Sequence, residues 1–161
     1  MICETPRDFA AILPRGRAIL GLDLGTKTLG VAISDPLLTV ATPMQTIKRH
    51  TFTADAACLG GIAAARGIGG MVLGLPLHMH GAEGPRAQST RAFARNLTRH
   101  ASFRGMPIVF WDERLSTVAA ERALLAAHMT RKRRARVIDH VAAGYILQGM
   151  LDRLAHLQGG T

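Results

Sequence analysis

The chain has 161 residues, of which 48 % are hydrophobic, and a formal net charge of +9. This length and apolar content suit one globular domain with its own core, and they exclude a disordered chain. No apolar run approaches the roughly 20 residues of a membrane span. The N-terminus does not resemble a secretory signal, and Cys3 and Cys58 are too few for a disulfide framework, so a cytoplasmic protein with no membrane partner is expected.

Residues 1–17 read as an N-terminal appendage, and residues 18–158 as a single domain. The domain opens with the stretch GLDLGTKTLGVAISD, Gly21 to Asp35. Two apolar runs, Ala18 to Leu24 and Leu29 to Ser34, flank the turn Gly25-Thr26-Lys27 and predict a hairpin of buried strands. Strand alternation puts Asp23 on one face with Ile19 and Gly21. Gly25 can also take the positive φ that some tight turns need.

Leu37 to Ile47 suggests a third strand, with Pro43 forcing an edge or a bulge. Thr53 to Arg66 has helical periodicity and would carry Cys58 in the core. Met71 to Leu75 is a short buried strand, followed by a loop from Pro76 to Gly84. Pro85 to Ser102 reads as a helix with Phe93 and Leu97 on its apolar side. Pro107 to Trp111 is another strand and runs into Asp112-Glu113-Arg114. A helix capped by Ser116 or Thr117 and a last helix over about Ala135 to Leu157 complete the chain, separated by a mobile basic loop. The order predicts an α/β fold: a mixed five-stranded sheet, an antiparallel meander followed by βα units, flanked by helices.

The positive charge points to a polyanionic partner, foremost nucleic acid. Arg91, Arg95 and Arg99 recur at i, i+4, i+8 and line one helix face, which is also what a merely solvated face looks like. Arg131, Lys132, Arg133, Arg134 and Arg136 form a denser block. Aromatic residues are scarce, so contact with phosphates is expected rather than base stacking.

Only eleven acids are present. Glu4 and Asp8 lie in the appendage. Asp35, Asp55, Glu83, Glu121 and Asp152 fall in turns or on helix faces where solvated acids are ordinary. Asp23, Asp112, Glu113 and Asp139 adjoin apolar elements. Asp23 could simply cap its turn, and Asp139 could simply answer a helix dipole. Alternatively, Asp23, one of the Asp112–Glu113 pair and Asp139 converge at one sheet edge. Ala142, Ala143 and Ile146 share a face with Asp139 and would let its helix approach the strands. Such a cluster needs cations, and its oxygen ligands suit Mg²⁺ or Mn²⁺. Two such ions roughly 3.5–4 Å apart can activate a water and stabilise the leaving oxygen of a phosphodiester. This is the chemistry of a metal-dependent nuclease.

Four segments, GLDLGTKTLGVAISD, VLGLPLHMHGAEGPRA, DERLSTVAA and IDHVAAGYILQGMLD, resemble the YqgF family, also called RuvX, over about Ile19 to Asp152. The family comprises pre-16S rRNA nucleases once proposed as Holliday-junction resolvases. The resemblance implies a ribonuclease H-like fold, with Asp23, Glu113 and Asp139 as metal-binding catalytic carboxylates, and it selects Glu113 over Asp112. It implies hydrolysis of structured RNA, most directly at the 5′ end of precursor 16S rRNA, with the assembling small ribosomal subunit as a further partner. Lys27, Arg86 and Arg114 would contact phosphates near the carboxylates. The Arg91 and Arg95 stripe and the Arg131–Arg136 block would contact backbone more distantly.

The loop GLPLHMHG departs from the family's GLPxNMDG at His78 and His80, which leaves its substrate contacts open. A monomer or weak homodimer is expected. The rivals are a four-way-junction resolvase, a non-catalytic assembly factor, and an actin-like ATPase reading GLDLGT as a phosphate loop. The last would require two lobes.

Overall fold

The computed structural model describes residues 1–115 and 131–159, with residues 131–139 described by their backbone alone. The helix expected after Ser116 lies outside the described residues. Six strands form one sheet: β1 (Ile2–Cys3), β2 (Ile19–Leu24), β3 (Thr28–Ser34), β4 (Ala41–Lys48), β5 (Gly70–Leu75) and β6 (Ile108–Asp112). Their spatial order is β1-β6-β5-β2-β3-β4. β2 to β4 form the antiparallel meander, and β2, β5, β6 and β1 pair in parallel. The sheet has one strand more than the sequence predicts, because residues 1–17 join it. β1 is only two residues long and pairs with β6, which no local pattern announces. The Met1 ammonium donates to the Met106 carbonyl at 2.9 Å.

Among the described residues, four helices flank the sheet: α1 (Pro6–Ile12), α2 (Phe52–Arg66), α3 (Pro85–Arg99) and α4 (Arg131–Gly159). Alternation sorts the strand residues between two cores. Leu20, Leu22, Leu24, Leu29, Val31, Met71 and Leu73 pack with Leu59 of α2 and with Phe93 and Leu97 of α3. Ile19, Val72, Val109 and Trp111 pack with Phe9 of α1 and with Ala143, Ile146, Leu147 and Met150 of α4. Thr51 caps α2 by accepting from the Ala54 amide at 3.2 Å. Gly67 ends it in the left-handed region, at φ 61°.

Pro43 has both expected effects. β4 is an edge strand, and the register slips opposite Pro43, from Val31–Gln45 to Ala32–Pro43.

Two expectations, for Cys58 and for the Arg131–Arg136 block, are corrected, and Gly25 does not use the positive φ open to it. Its amide donates to the Thr28 carbonyl at 2.8 Å, and a Cβ there would stand 3.1 Å from that same oxygen, so close approach is what the turn requires. Cys58 is exposed rather than core, because the inward face of α2 is set by Ala56, Leu59 and Ala63. The Arg131–Arg136 block is the first turn and a half of α4 rather than a loop. Lys and Arg are good helix formers, and no Gly or Pro interrupts the run.

α4 seats closely on the sheet at two glycines. A Cβ on Gly21 would stand 2.6 Å from Leu147 Cβ and 2.9 Å from the Ala143 carbonyl oxygen. A Cβ on Gly74 would stand 2.4 Å from Ile146 Cδ1. Among the described residues, no helix is long and apolar enough to cross a membrane.

Candidate active site

β2, β5 and β6 run in parallel and end together, at Leu24, Leu75 and Asp112. In open α/β sheets, such carboxyl ends are where ligands bind. Asp23, one residue from the end of β2, shares the face of Gly21 and therefore looks toward α4. It is 4 % exposed. A buried carboxylate costs several kcal/mol unless it is paired, hydrogen-bonded or bound to a cation.

The sheet leaves room on both sides of Asp23. Across β3 its partner is Gly30, and beyond Gly30 lies Thr46. On the other flank, extending the Leu22–Leu73 pairing by one residue brings Asp23 beside Gly74. Gly74 in turn pairs with Trp111. The row thus reads Thr46, Gly30, Asp23, Gly74, Trp111, with no Cβ on either side of the acid.

Glu113 fills part of that room. It lies in a short 3₁₀ turn, Glu113–Leu115, directly after β6. A Cβ on Gly74 would stand 2.7 Å from Glu113 Oε1. The Glu113 carboxylate therefore lies over Gly74, the neighbour of Asp23, on the α4 face.

α4 runs antiparallel to β4. Gln148 Oε1 accepts from the Ala41 amide at 2.9 Å, Gly144 meets Pro43, and His140 Nδ1 lies 2.8 Å from Thr46 Oγ1. His140 thus stands at the Thr46 end of the Asp23 row. The Asp139 backbone, one residue before it, is at the same level, and Ala142, Ala143 and Ile146 are buried on the sheet as expected. The Asp139 side chain lies outside what is described. Among the described residues, no group of three His, Cys, Asp or Glu side chains forms a metal cluster.

Asp112 and Glu113 take different roles. Asp112 receives a two-pronged ion pair from Arg114, with Nε to Oδ1 at 3.0 Å and Nη2 to Oδ2 at 2.6 Å. That guanidinium holds the Asp112 carboxyl below its ordinary range. Arg114 Nη1 also donates to the Met79 carbonyl at 3.3 Å. Arg114 thus ties the Pro76–Gly84 loop to the end of β6, where a free cation was expected. In that loop the His78 and His80 rings are parallel within 6°, with centroids 5.8 Å apart.

The expected cations are not equivalent. Lys27 and Arg95 are exposed. Arg91 is half-buried, forms an ion pair with Glu83 and lies 4.9 Å over the Phe110 ring. Arg86 is exposed at the start of α3 and points Nη2 at the Leu24 carbonyl, 3.5 Å away. α3 then carries its stripe away from this edge, at about 1.5 Å per residue. The side chains of Arg131, Lys132, Arg133, Arg134 and Arg136 lie outside what is described.

Two features escape the sequence pattern. Asp55, expected as a solvated acid, is 2 % exposed and accepts from the His50 amide at 3.0 Å. Arg49 lies 4.0 Å from Asp55 and donates through Nη1 to the Gly25 carbonyl at 2.5 Å. Arg49 follows β4 with no local periodicity, and only the closed sheet brings it to the Gly25 turn.

The comparisons with known proteins agree with this architecture. The family model described as RuvX, Holliday junction resolvase, matches residues 17–153. Proteins named "Putative pre-16S rRNA nuclease" from Roseobacter denitrificans and Rhodobacter capsulatus are 65 % and 64 % identical to the chain. The alignments cover 96 % and 98 % of this chain and 94 % and 97 % of theirs. Among solved structures, T. thermophilus RuvC in complex with Holliday junction substrate superposes with a TM-score of 0.55 at 12 % identity, over 89 % of this chain and 96 % of that one. At that identity the likeness speaks for the fold alone, which is ribonuclease H-like. The match over 17–153 and the near-full-length relatives carry the stronger statement: the chain belongs to the RuvX family.

Proposed function

We propose that the protein is a metal-dependent nuclease that hydrolyses phosphodiester bonds of structured RNA, acting at the 5′ end of precursor 16S rRNA in the cytoplasm. The observation that carries this reading is the buried Asp23 carboxylate, bordered by Gly30 and approached over Gly74 by Glu113. Carboxylate oxygens gathered at a sheet edge with no Cβ beside them fit a hard divalent cation. Asp23 and Glu113 would hold Mg²⁺ or Mn²⁺, and Asp139 of α4 would complete the set. Two ions are proposed. Bound there, they supply Lewis acidity to the scissile phosphate and lower the pKa of the attacking water.

The protein's own residues do the rest. Gly21 lets α4 close on the sheet, which brings the backbone of Asp139 to the level of Asp23. The glycine row keeps the carboxylates unobstructed. Lys27, Arg86 and Arg114 border the edge and favour the approach of phosphates. Arg95, Arg91 and the Arg131–Arg136 block extend the attraction along the strand. The assembling small ribosomal subunit is the proposed setting, and a monomer or weak homodimer the proposed state.

A second reading, cleavage of four-way DNA junctions, is favoured by the description of the matching family model. Paired incision of a symmetric junction calls for a dimer. Side-by-side assays of end-labelled precursor 16S rRNA and of a four-way junction separate the two. Trimmed RNA with an uncut junction supports the first reading, and symmetric junction incision replaces it with the second.

A further inference from the structure

On the other side of the β2 end from Asp23 lies a cleft of about 160 Å³, bordered by Leu24, Gly25, Thr26, Arg49, Arg86 and Ser89. Leu24 alternates with Asp23, so the cleft opens on the α2 and α3 face while the carboxylates open on the α4 face. The two sites are separated by the thickness of one strand.

Two guanidinium groups converge on this cleft. Arg86 Nη2 and Arg49 Nη1 are directed at consecutive carbonyls, those of Leu24 and Gly25. Neither carbonyl neutralises a charge. Among the described residues, Arg86 has no carboxylate within ion-pair distance. Arg49 meets Asp55 only at 4.0 Å, and Asp55 already spends one oxygen on the His50 amide.

Arg49 is also held from several sides. Its side chain is 28 % exposed, and its guanidinium lies 6.0 Å over the Phe93 ring. Arg86 thus brings to the cleft a charge that no carboxylate among the described residues pairs with, and Arg49 adds a second guanidinium to the lining, which favours an anion there. Each guanidinium has donors left over after its one carbonyl bond, and Thr26 and Ser89 add hydroxyls. The lining contains no aromatic ring. The volume equals about five waters at roughly 30 Å³ each, which is room enough for a phosphate group, and the lining offers a base no ring to stack on.

We infer that this cleft is a second anion site that holds a backbone phosphate of the bound RNA, a neighbour of the scissile one, through Arg49, Arg86, Ser89 and Thr26. The strand then crosses the β2–β3 turn, with one phosphate clamped on the α3 side while the next is presented to the carboxylates. This inference rests on the reading of the chain as an RNA-cutting enzyme. It adds a fixed register between a clamped phosphate and the cut.

The test is binding of a 12-nucleotide RNA spanning the precursor 5′ end to the Asp23→Asn protein, measured by fluorescence anisotropy against salt. The RNA is also made with a single neutral methylphosphonate at each position in turn. Arg86→Ala is expected to weaken binding roughly tenfold and to lower the salt slope by about one. Ser89→Ala should weaken binding less. One methylphosphonate position should weaken binding to the Arg86 protein and cost nothing further in Arg86→Ala. Arg49→Lys, which keeps the charge but loses the fork, should fall between the two.

An unchanged slope in Arg86→Ala, or equal losses at every neutralised position, overturns the clamp while leaving the nuclease reading intact. Displacement of RNA by inorganic phosphate from the Arg86 protein alone, with no position-specific effect, marks a free-anion site and also overturns it. Failure of the Asp23→Asn protein to bind the RNA at all sinks the nuclease reading, and the clamp with it.

Discussion

The Glu113 carboxylate occupies the space that a side chain on Gly74 would fill: a Cβ on Gly74 would lie 2.7 Å from Glu113 Oε1 and 2.4 Å from Ile146 Cδ1. Gly74→Ala is therefore expected to do two separable things. It overpacks the α4 contact, at about 1–3 kcal/mol, and it displaces Glu113. Cleavage should fall roughly 10²-fold, the usual cost of misplacing a catalytic group by about 1 Å. Adding Ile146→Val should recover stability in denaturant titrations but not cleavage. Joint recovery would assign the whole effect to packing.

Gly21→Ala tests how closely α4 must seat. The added methyl would meet Leu147 Cβ and the Ala143 carbonyl oxygen. Trimming Leu147 to Ala removes neither atom, so it should not rescue the variant. A destabilisation of about 1–3 kcal/mol by urea unfolding, unrelieved by Leu147→Ala, is expected.

The Arg114 pair controls charge at the edge. Removing the guanidinium in Arg114→Ala leaves Asp112 as an unpaired anion beside Glu113 and frees the Met79 carbonyl. RNA affinity should fall, and Asp112→Asn in the same protein should restore part of it. Restoration of at least half the lost binding free energy in anisotropy would support this electrostatic account, and none would refute it.

These contacts show where the sequence is readable. The hairpin, the inward Asp23 and the edge placement of Pro43 follow from alternation and turn chemistry, which are local. The small face of α4 is equally plain from Ala142, Ala143 and Ile146. β1 is not readable, because two residues carry no period and their pairing with Ile108 and Val109 spans most of the chain. Asp55 escapes for another reason: its carboxylate turns back over the start of α2 to the His50 amide and comes within 4.0 Å of Arg49, contacts that no hydropathy period announces. Arg114 could be placed near the site but not paired, since adjacent residues give no account of which carboxylate a guanidinium will fork.

The turn after β3 supplies a pH test away from the site. Asp35 accepts from the Val40 amide at 2.8 Å and from the Thr39 amide and hydroxyl, each at 2.7 Å. Those bonds, the Val40 amide foremost, lower its carboxyl from 3.8 to about 2. A depressed carboxylate contributes stability above its ordinary value and loses it as pH falls through the folded one. The stability gap between the protein and Asp35→Asn should be full above about pH 4 and should close as pH falls toward about 2. A gap independent of pH in urea titrations would contradict this.

Asp23 is proposed to hold the metal for RNA cleavage. The direct measurement is trimming of end-labelled precursor 16S rRNA by the protein and by Asp23→Asn, with Mg²⁺ or Mn²⁺ and with chelator, alongside RNA binding by both. Metal-dependent trimming by the parent, none by Asp23→Asn, and retained binding and folding in the variant are expected. Equal trimming by both proteins, or a loss of binding as large as the loss of cleavage, would contradict that role.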